Sequence, residues 1–164
     1  MKAFFALVAT ALAAVPFVAA DVIPEGAAAH FISSQNSALA LAPQGGFQGA
    51  TLQVTTPGDG SSSDITALFA TRGTGQAGQI AYGDWCISAN GVVPGTATQV
   101  LYVTDCSDDA AQLWTVNESP ATISNADGNC ITLGKAAKGA PVTLSACTDE
   151  LQHLQLWNAQ VVSA

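Results

Sequence analysis

The chemistry-bearing residues of this 164-residue chain are few: four cysteines, two histidines, twelve carboxylates, three tryptophans and two tyrosines. His30 and His153 stand at no spacing from a cysteine, serine or carboxylate that would build a catalytic triad or a zinc site. Both read as surface or strand-end residues. Asp108-Asp109 and Asp149-Glu150 are paired carboxylates, the residue type of glycoside hydrolysis, but they lie in Ser- and Asp-rich stretches that read as solvated loops. "GTGQAG" and "GDGSSSD" resemble phosphate and calcium loops only superficially, since neither carries the necessary lysine or alternating acidic ligands. No catalytic set, metal or cofactor is expected. Cys86, Cys106, Cys130 and Cys147 contain no Cys-x-x-Cys or close Cys/His pair, so disulfides are favoured over zinc, in any of three pairings that spacing does not choose between. What remains is the chemistry of recognition. Tyr82, Asp84, Trp85, Ser88 and Asn90 surround Cys86, and Tyr102 and Thr104 precede Cys106. Aromatic faces beside carboxylate, hydroxyl and amide groups can stack on and hydrogen-bond a partner. The plainer reading is that Tyr102 covers a rim of the fold and Trp85 caps an exposed turn.

The elements that must position these residues are strands. Apolar residues alternate or come in short runs between Gly, Pro, Asn, Ser and Asp, as in "ATLQVTTPGDG", "CISANGVVPG", "TQVLYVTDC" and "NADGNCITLG". The alanines of residues 38–67 invite a helix, which the threonines, glycines and Pro57 refuse. Three rows of four strand-like pieces recur in the same order, beginning at His30, Gln79 and Thr122. The rows end in Ala67-Leu68-Phe69, Gln112-Leu113-Trp114 and Gln155-Leu156-Trp157. On a strand, Gln112 and Trp114 share one face. Trp114 and Trp157, with Phe69 in the first row, are expected to pack in the core, each glutamine bonding backbone beside its tryptophan.

Three four-strand units, two with an internal cysteine pair and a closing Gln-x-Trp, resemble the ricin B-type lectin β-trefoil, also described as family 13 carbohydrate-binding modules. The resemblance implies an all-β fold of twelve strands in three pseudo-repeats over residues 29–161, at about 30–70, 79–116 and 121–158. Six strands would form a barrel and six the hairpins closing one end, an arrangement that suits a monomer because it leaves few bare edges. It implies bridges within repeats, Cys86 to Cys106 and Cys130 to Cys147. Repeat one has Ala38 and Thr56 near the cysteine positions and no bridge, so its turn from Thr55 to Asp64 is expected to be the loosest part.

Members of this family bind sugar with an Asp two residues after the first Cys, an aromatic two residues before the second, and an Asn before the Gln. Repeat two offers Ser88, Thr104 and Ala111 there, repeat three Thr132, Ser145 and Leu154, and repeat one Ala40 and Thr55. Gln112 and Gln155 alone match. The usual galactose pocket is thus expected to be largely missing, and a remaining carbohydrate site is expected in repeat two, at Ser88, Tyr102, Thr104, Gln112, Asp84 and Trp85. The expected function is a secreted, non-catalytic, lectin-like protein whose partner is a glycan or glycoprotein. The competing reading is a trefoil that binds a protein through a loop such as Thr55–Asp64, for instance as a protease inhibitor.

Residues 1–20 combine Lys2, an apolar run and a small-residue end before Asp21, the pattern of a secretory signal peptide; residues 21–28 read as a lead-in. Without residues 1–20, three basic residues (Arg72, Lys135, Lys138) face twelve acidic ones, a net charge of −9. That charge repels phosphate backbones and anionic lipid, so neither nucleic acid nor membrane is an expected partner. Asn117-Glu118-Ser119 is a glycosylation sequon, weakened by Pro120.

Overall fold

Period-two patterning with frequent turn residues favours short antiparallel strands, each burying one face. The computed structural model describes residues 22–60, 63–92 and 99–162. Repeat one contains β1 (Ala27–Ser33), β2 (Ala40–Pro43), β3 (Leu52–Thr55) and β4 (Leu68–Ala70). A two-residue strand, β5 (Ala77–Gly78), follows and pairs with β9 of the next repeat. Repeat two contains β6 (Ile80–Tyr82), β7 (Trp85–Val92), β8 (Gln99–Asp105) and β9 (Trp114–Val116). Repeat three contains β10 (Ile123–Asn125), β11 (Asn129–Leu133), β12 (Val142–Ala146) and β13 (Trp157–Val161). The twelve expected strands are therefore present, with β5 in addition. The expected signal sequence, residues 1–20, lies outside the described residues.

Strands β1, β4, β6, β9, β10 and β13 make the barrel. β1 pairs with β13, from Ala29↔Val161 to Ser33↔Trp157, tying the two ends of the domain together. β4 pairs with β1 and β6, and β9 with β10. The hairpins β2–β3, β7–β8 and β11–β12 close one end. They meet through Thr51↔Tyr102, Val100↔Thr143 and Gln53↔Pro141, one bridge between each pair, as a threefold arrangement requires. The core repeats with the same symmetry: Phe31, Ile80 and Ile123 are equivalent positions, as are Leu41, Ile87 and Ile131, and Leu52, Leu101 and Val142, and all are buried. The lead-in expected over residues 21–28 joins this domain, since Ile23 is buried and its N–H donates to Thr74 Oγ1 at 2.8 Å.

Strand pairing corrects the register expected for repeat one. Ala70 faces Ile80 as Val116 faces Ile123, which makes Leu68 the counterpart of Trp114 and Trp157. Leu68 is fully buried, whereas Phe69, expected in the core, is 47% exposed. A one-residue shift on a strand exchanges the two faces, and Phe69 falls on the outer one. The counterpart of Gln112 is accordingly Thr66. Ala40, which pairs with Ile32 as Cys86 does with Ala81, holds the first cysteine position, and Pro57 the second.

Both glutamines sit one step before their strands rather than on them. Gln112 ends a 3₁₀ turn, Ala110–Gln112, and Gln155 ends the short helix α1, Gln152–Gln155. Gln112 donates to Asp105 O at 2.9 Å and accepts from Ser107 N at 2.8 Å, gripping the backbone on both sides of Cys106. Gln155 grips Ala146 O and Thr148 N around Cys147 in the same way. The disulfides Cys86–Cys106 and Cys130–Cys147 complete these anchors.

Repeat one replaces its missing bridge with a polar clamp. Thr66 Oγ1 accepts from Gly58 N at 3.0 Å, the contact equivalent to Gln112 on Ser107. Asp64, expected at the edge of a loose solvated turn, is buried; it accepts from Thr66 N and Gly60 N at 2.8 Å each, and its Oδ2 lies 2.8 Å from His30 Nε2. His30, expected at the surface or a strand end, is thus a half-buried partner of Asp64 within β1; His153 is exposed. Part of the turn, Ser61 and Ser62, lies outside the described residues. Burial alone would raise the Asp64 carboxyl, but hydrogen bonds from the Thr66 side chain, the Thr66 and Gly60 backbone and His30 outweigh it and lower the group from 3.8 to about 2. A lowered carboxyl stabilises the fold above its unfolded value and loses that contribution as pH falls through the folded one. Asp64 should therefore contribute about 2 kcal/mol that is fully present above pH 4 and disappears towards pH 2. Urea melts of wild type and Asp64→Asn from pH 7 to pH 2 check this. The two curves should converge at the acid end; a constant gap would show that the carboxylate charge is irrelevant.

Candidate functional site

The expected carbohydrate residues fall in three different places. Ser88 and Gln112 are buried, at 2% and 3% exposure, and Gln112 has its amide committed to backbone, so neither is available to a ligand as expected. Ser88 stands opposite Tyr102 on the β7–β8 hairpin and is buried, and the turn Ala110–Gln112 packs against β7. Tyr102 and Thr104 are half-buried on the same face. Tyr102 lies over Gly91, where an added Cβ would come within 2.9 Å of its ring, and bridges to Thr51 of the neighbouring hairpin. Asp84 and Trp85 lie at the opposite end of β7, in the turn joining it to β6, where Trp85 and Tyr82 are tilted rings with centroids 6.5 Å apart. The structure does not bring these six residues into one pocket.

It brings others together that no local pattern revealed. A cleft of about 280 Å³ opens where the second hairpin meets the β10–β11 turn of repeat three. Ala89, Asn90, Gln99, Asp109, Ala110 and Ala111 line it from repeat two, and Asn125, Ala126, Asp127, Asn129 and Leu144 from repeat three. Asn90 Nδ2 donates to Asp109 Oδ2 at 3.1 Å, while Asp109 Oδ1 caps the 3₁₀ turn by accepting from Ala111 N at 2.9 Å. Asn125 Oδ1 likewise accepts from Asn129 N at 2.9 Å, fixing the facing turn. The lining thus holds two carboxylates, several amides and the apolar Leu144, and no basic side chain. Such a surface favours a neutral ligand rich in hydroxyls over an anion. Ala111, on the lining, stands immediately before Gln112, where the resemblance would place an Asn.

The Asn117 amide is engaged elsewhere. Its Nδ2 donates to Thr122 Oγ1 and Ser124 Oγ at 3.1 Å each, closing the connection between β9 and β10. A glycan attached at the Asn117 sequon would replace one of the two Nδ2 hydrogens and so cost one of these two bonds. Trp114 and Trp157 are 1% exposed, and their indole N–H groups donate to Ile87 O and Ile131 O at 2.9 Å.

Fold and repeats define a β-trefoil with two internally bridged units and one unbridged unit. Residues 28–157 match the ricin-type beta-trefoil lectin domain, and the chain belongs to that family. Among solved structures, that of a mosquitocidal holotoxin superposes with a TM-score of 0.67 and 12% identity over 84% of this chain. GalNAc-T7, solved with UDP, GalNAc and Mn2+, gives 0.62 and 13% over 85%. The beta-trefoil lectin of the Vibrio vulnificus hemolysin/cytolysin, with N-acetyl-D-lactosamine bound, gives 0.58 and 15% over 85%. The match spans 17% of the holotoxin chain, 23% of GalNAc-T7 and 97% of the Vibrio lectin. At these identities the likeness is one of fold. Among curated protein sequences, none matches this chain.

Proposed function

We propose that the protein is a secreted, non-catalytic carbohydrate-binding trefoil whose saccharide site is the cleft between repeats two and three. The observation that carries this reading is the Asn90–Asp109 pair, an amide and a carboxylate held 3.1 Å apart in a cleft lined otherwise by amides, one further carboxylate and apolar side chains. Sugar hydroxyls donate to carboxylates and exchange hydrogen bonds with amides, and Leu144 offers an apolar contact for a C–H face. The volume is close to the lower end of small-ligand pockets, ~300 Å³, which fits one sugar ring at the end of a glycan. Membership of a lectin family and a trefoil neighbour solved with a bound disaccharide support the ligand class. Two disulfides and the apolar segment of residues 1–20 support export.

A glycan array followed by calorimetry tests the proposal. At least one glycan should bind, and Asn90→Ala and Asp109→Asn should each weaken it about tenfold or more, since each removes a charge-assisted contact or its partner. Their melting temperatures serve as the control for folding. Absence of binding to every glycan, or wild-type affinity in both variants, overturns the reading.

A further inference from the structure

Two of the three repeats fasten the segment after their second cysteine position with a side chain from the barrel, and the third does not. Pairing of Ile32 with Ala40, Ala81 with Cys86 and Ser124 with Cys130 makes His30, Gln79 and Thr122 equivalent. The grips of Gln112 on Ser107 N and of Gln155 on Thr148 N make Ser107 and Thr148 equivalent as well. In repeat two Gln79 reaches this segment: its Nε2 donates to Ser107 O at 2.7 Å and lies 3.5 Å from Gln112 Oε1. In repeat one His30 takes that place, with its Nε2 2.8 Å from Asp64 Oδ2 in the polar clamp. Thr122 is too short to do the same. Its hydroxyl is committed to Asn117 Nδ2 at 3.1 Å and to Pro120 O at 3.5 Å.

The missing side chain leaves a pocket of about 120 Å³, with Thr122, Thr148, Asp149, Gln152 and Gln155 in its walls and no basic residue among them. Its polar groups lack donors. Among the described residues none donates to the Thr148 carbonyl, the counterpart of Ser107 O. Gln155 Oε1 has only a 3.4 Å contact from Thr148 N, against 2.8 Å for the equivalent bond from Ser107 N to Gln112. Asp149 is exposed, and among the described residues its carboxylate has no ion-pair partner. A carbonyl, an amide oxygen and a carboxylate together call for a cation that carries N–H donors, and they repel an anion. Guanidinium answers them best, because its planar fork spreads several N–H groups where an ammonium gathers them at one point. At about 120 Å³, against the ~300 Å³ at which small-ligand pockets begin, the space takes one head group rather than a whole ligand.

We propose that this pocket is a socket for the guanidinium of an arginine side chain on a partner protein, which donates to Thr148 O and Gln155 Oε1 and pairs with Asp149. The arginine supplies in trans the donor that Gln79 supplies within the chain in repeat two. A formal net charge of −8 favours the approach of such a partner. The socket is independent of the Asn90–Asp109 cleft, with which it shares no lining residue.

Backbone amide chemical shifts of the isotope-labelled protein, titrated with N-acetylarginine amide, test this. The amides of Thr148 and Asp149 should shift and saturate, and the uncharged isostere N-acetylcitrulline amide should bind about tenfold more weakly or less. Asp149→Asn should weaken the arginine derivative by about the same factor, whereas Asp108→Asn, the equivalent change in repeat two, should leave it unaltered. Thr122→Gln places an amide where repeat two has that of Gln79, and should abolish the response. Gln79→Thr is the converse: it opens the equivalent space in repeat two, and the amides of Ser107 and Asp108 should begin to respond. Melting temperatures of the variants are the control for folding. No saturable shift at Thr148, equal affinity for the citrulline derivative, or unchanged binding in folded Thr122→Gln overturns the socket.

Discussion

Trp157→Ala is expected to lose about 3–5 kcal/mol of folding stability and on the order of 10–20 °C in melting temperature. Trp157 is fully buried where the first and last strands of the domain pair, and it contributes both apolar area and the bond from Nε1 to Ile131 O at 2.9 Å. Truncation opens a large cavity and leaves the Ile131 carbonyl without its donor. Trp157→Phe separates the two effects, because most of the ring is kept while the hydrogen bond goes; about 1–3 kcal/mol should be lost. The same melts test the register of repeat one. Leu68→Ala, at the equivalent buried position, should cost about 2–5 kcal/mol, whereas Phe69→Ala, half-exposed on the outer face, should cost little. A larger loss for Phe69→Ala than for Leu68→Ala would restore the register in which Phe69 closes the first repeat.

Reduction of the disulfides is expected to have an effect at least as large. Each bridge closes a loop, of 20 residues for Cys86–Cys106 and 17 for Cys130–Cys147, and should contribute about 3 kcal/mol by restricting the unfolded chain. Cys86→Ala/Cys106→Ala and Cys130→Ala/Cys147→Ala should each show that loss in urea denaturation. Removing both approaches the whole stability usual for a domain of this size, on the order of 5–15 kcal/mol, so the fully reduced protein should be largely unfolded at 37 °C. Circular dichroism melts with and without reductant measure this. An unchanged midpoint on reduction would mean that the glutamine grips around Cys106 and Cys147 suffice alone. Repeat one shows how such a substitute works: where Ala40 and Pro57 stand at the cysteine positions, the Asp64 carboxylate gathers His30, Thr66 and Gly60. That substitute is sensitive to acid, and the bridges are not.

The strand pattern, the three rows and the two Gln-Leu-Trp closures were legible in the chain because each is local, and so, through the family resemblance, were the cysteine pairs. Repeat one was legible only in outline. Thr66-Ala67-Leu68-Phe69 is apolar enough to be read in either of two registers, and only pairing with β6 decides which side chain faces inward. Gln112 and Gln155 look like strand residues by spacing, but the carbonyl and N–H flanking each second cysteine capture them just before the strand begins. Of the sugar positions inferred from the family, Ser88 is buried, on a strand against which a turn more than twenty residues later packs.

The sequence by itself determined the all-β class and the threefold repeat, since alternation, turn residues and repeated spacing act within one unit, and the resemblance built on that repeat implied which cysteines are bridged. Tertiary structure alone decided which side chains line a common cleft. The Asn90–Asp109 cleft lies between units, made from the hairpin of repeat two and the turn of repeat three. Those side chains meet only because barrel closure and the hairpin bridges Thr51↔Tyr102 and Val100↔Thr143 press neighbouring repeats together. No pattern along the chain encodes such a junction, because the contacts that form it are long-range and become favourable only once the common core is buried.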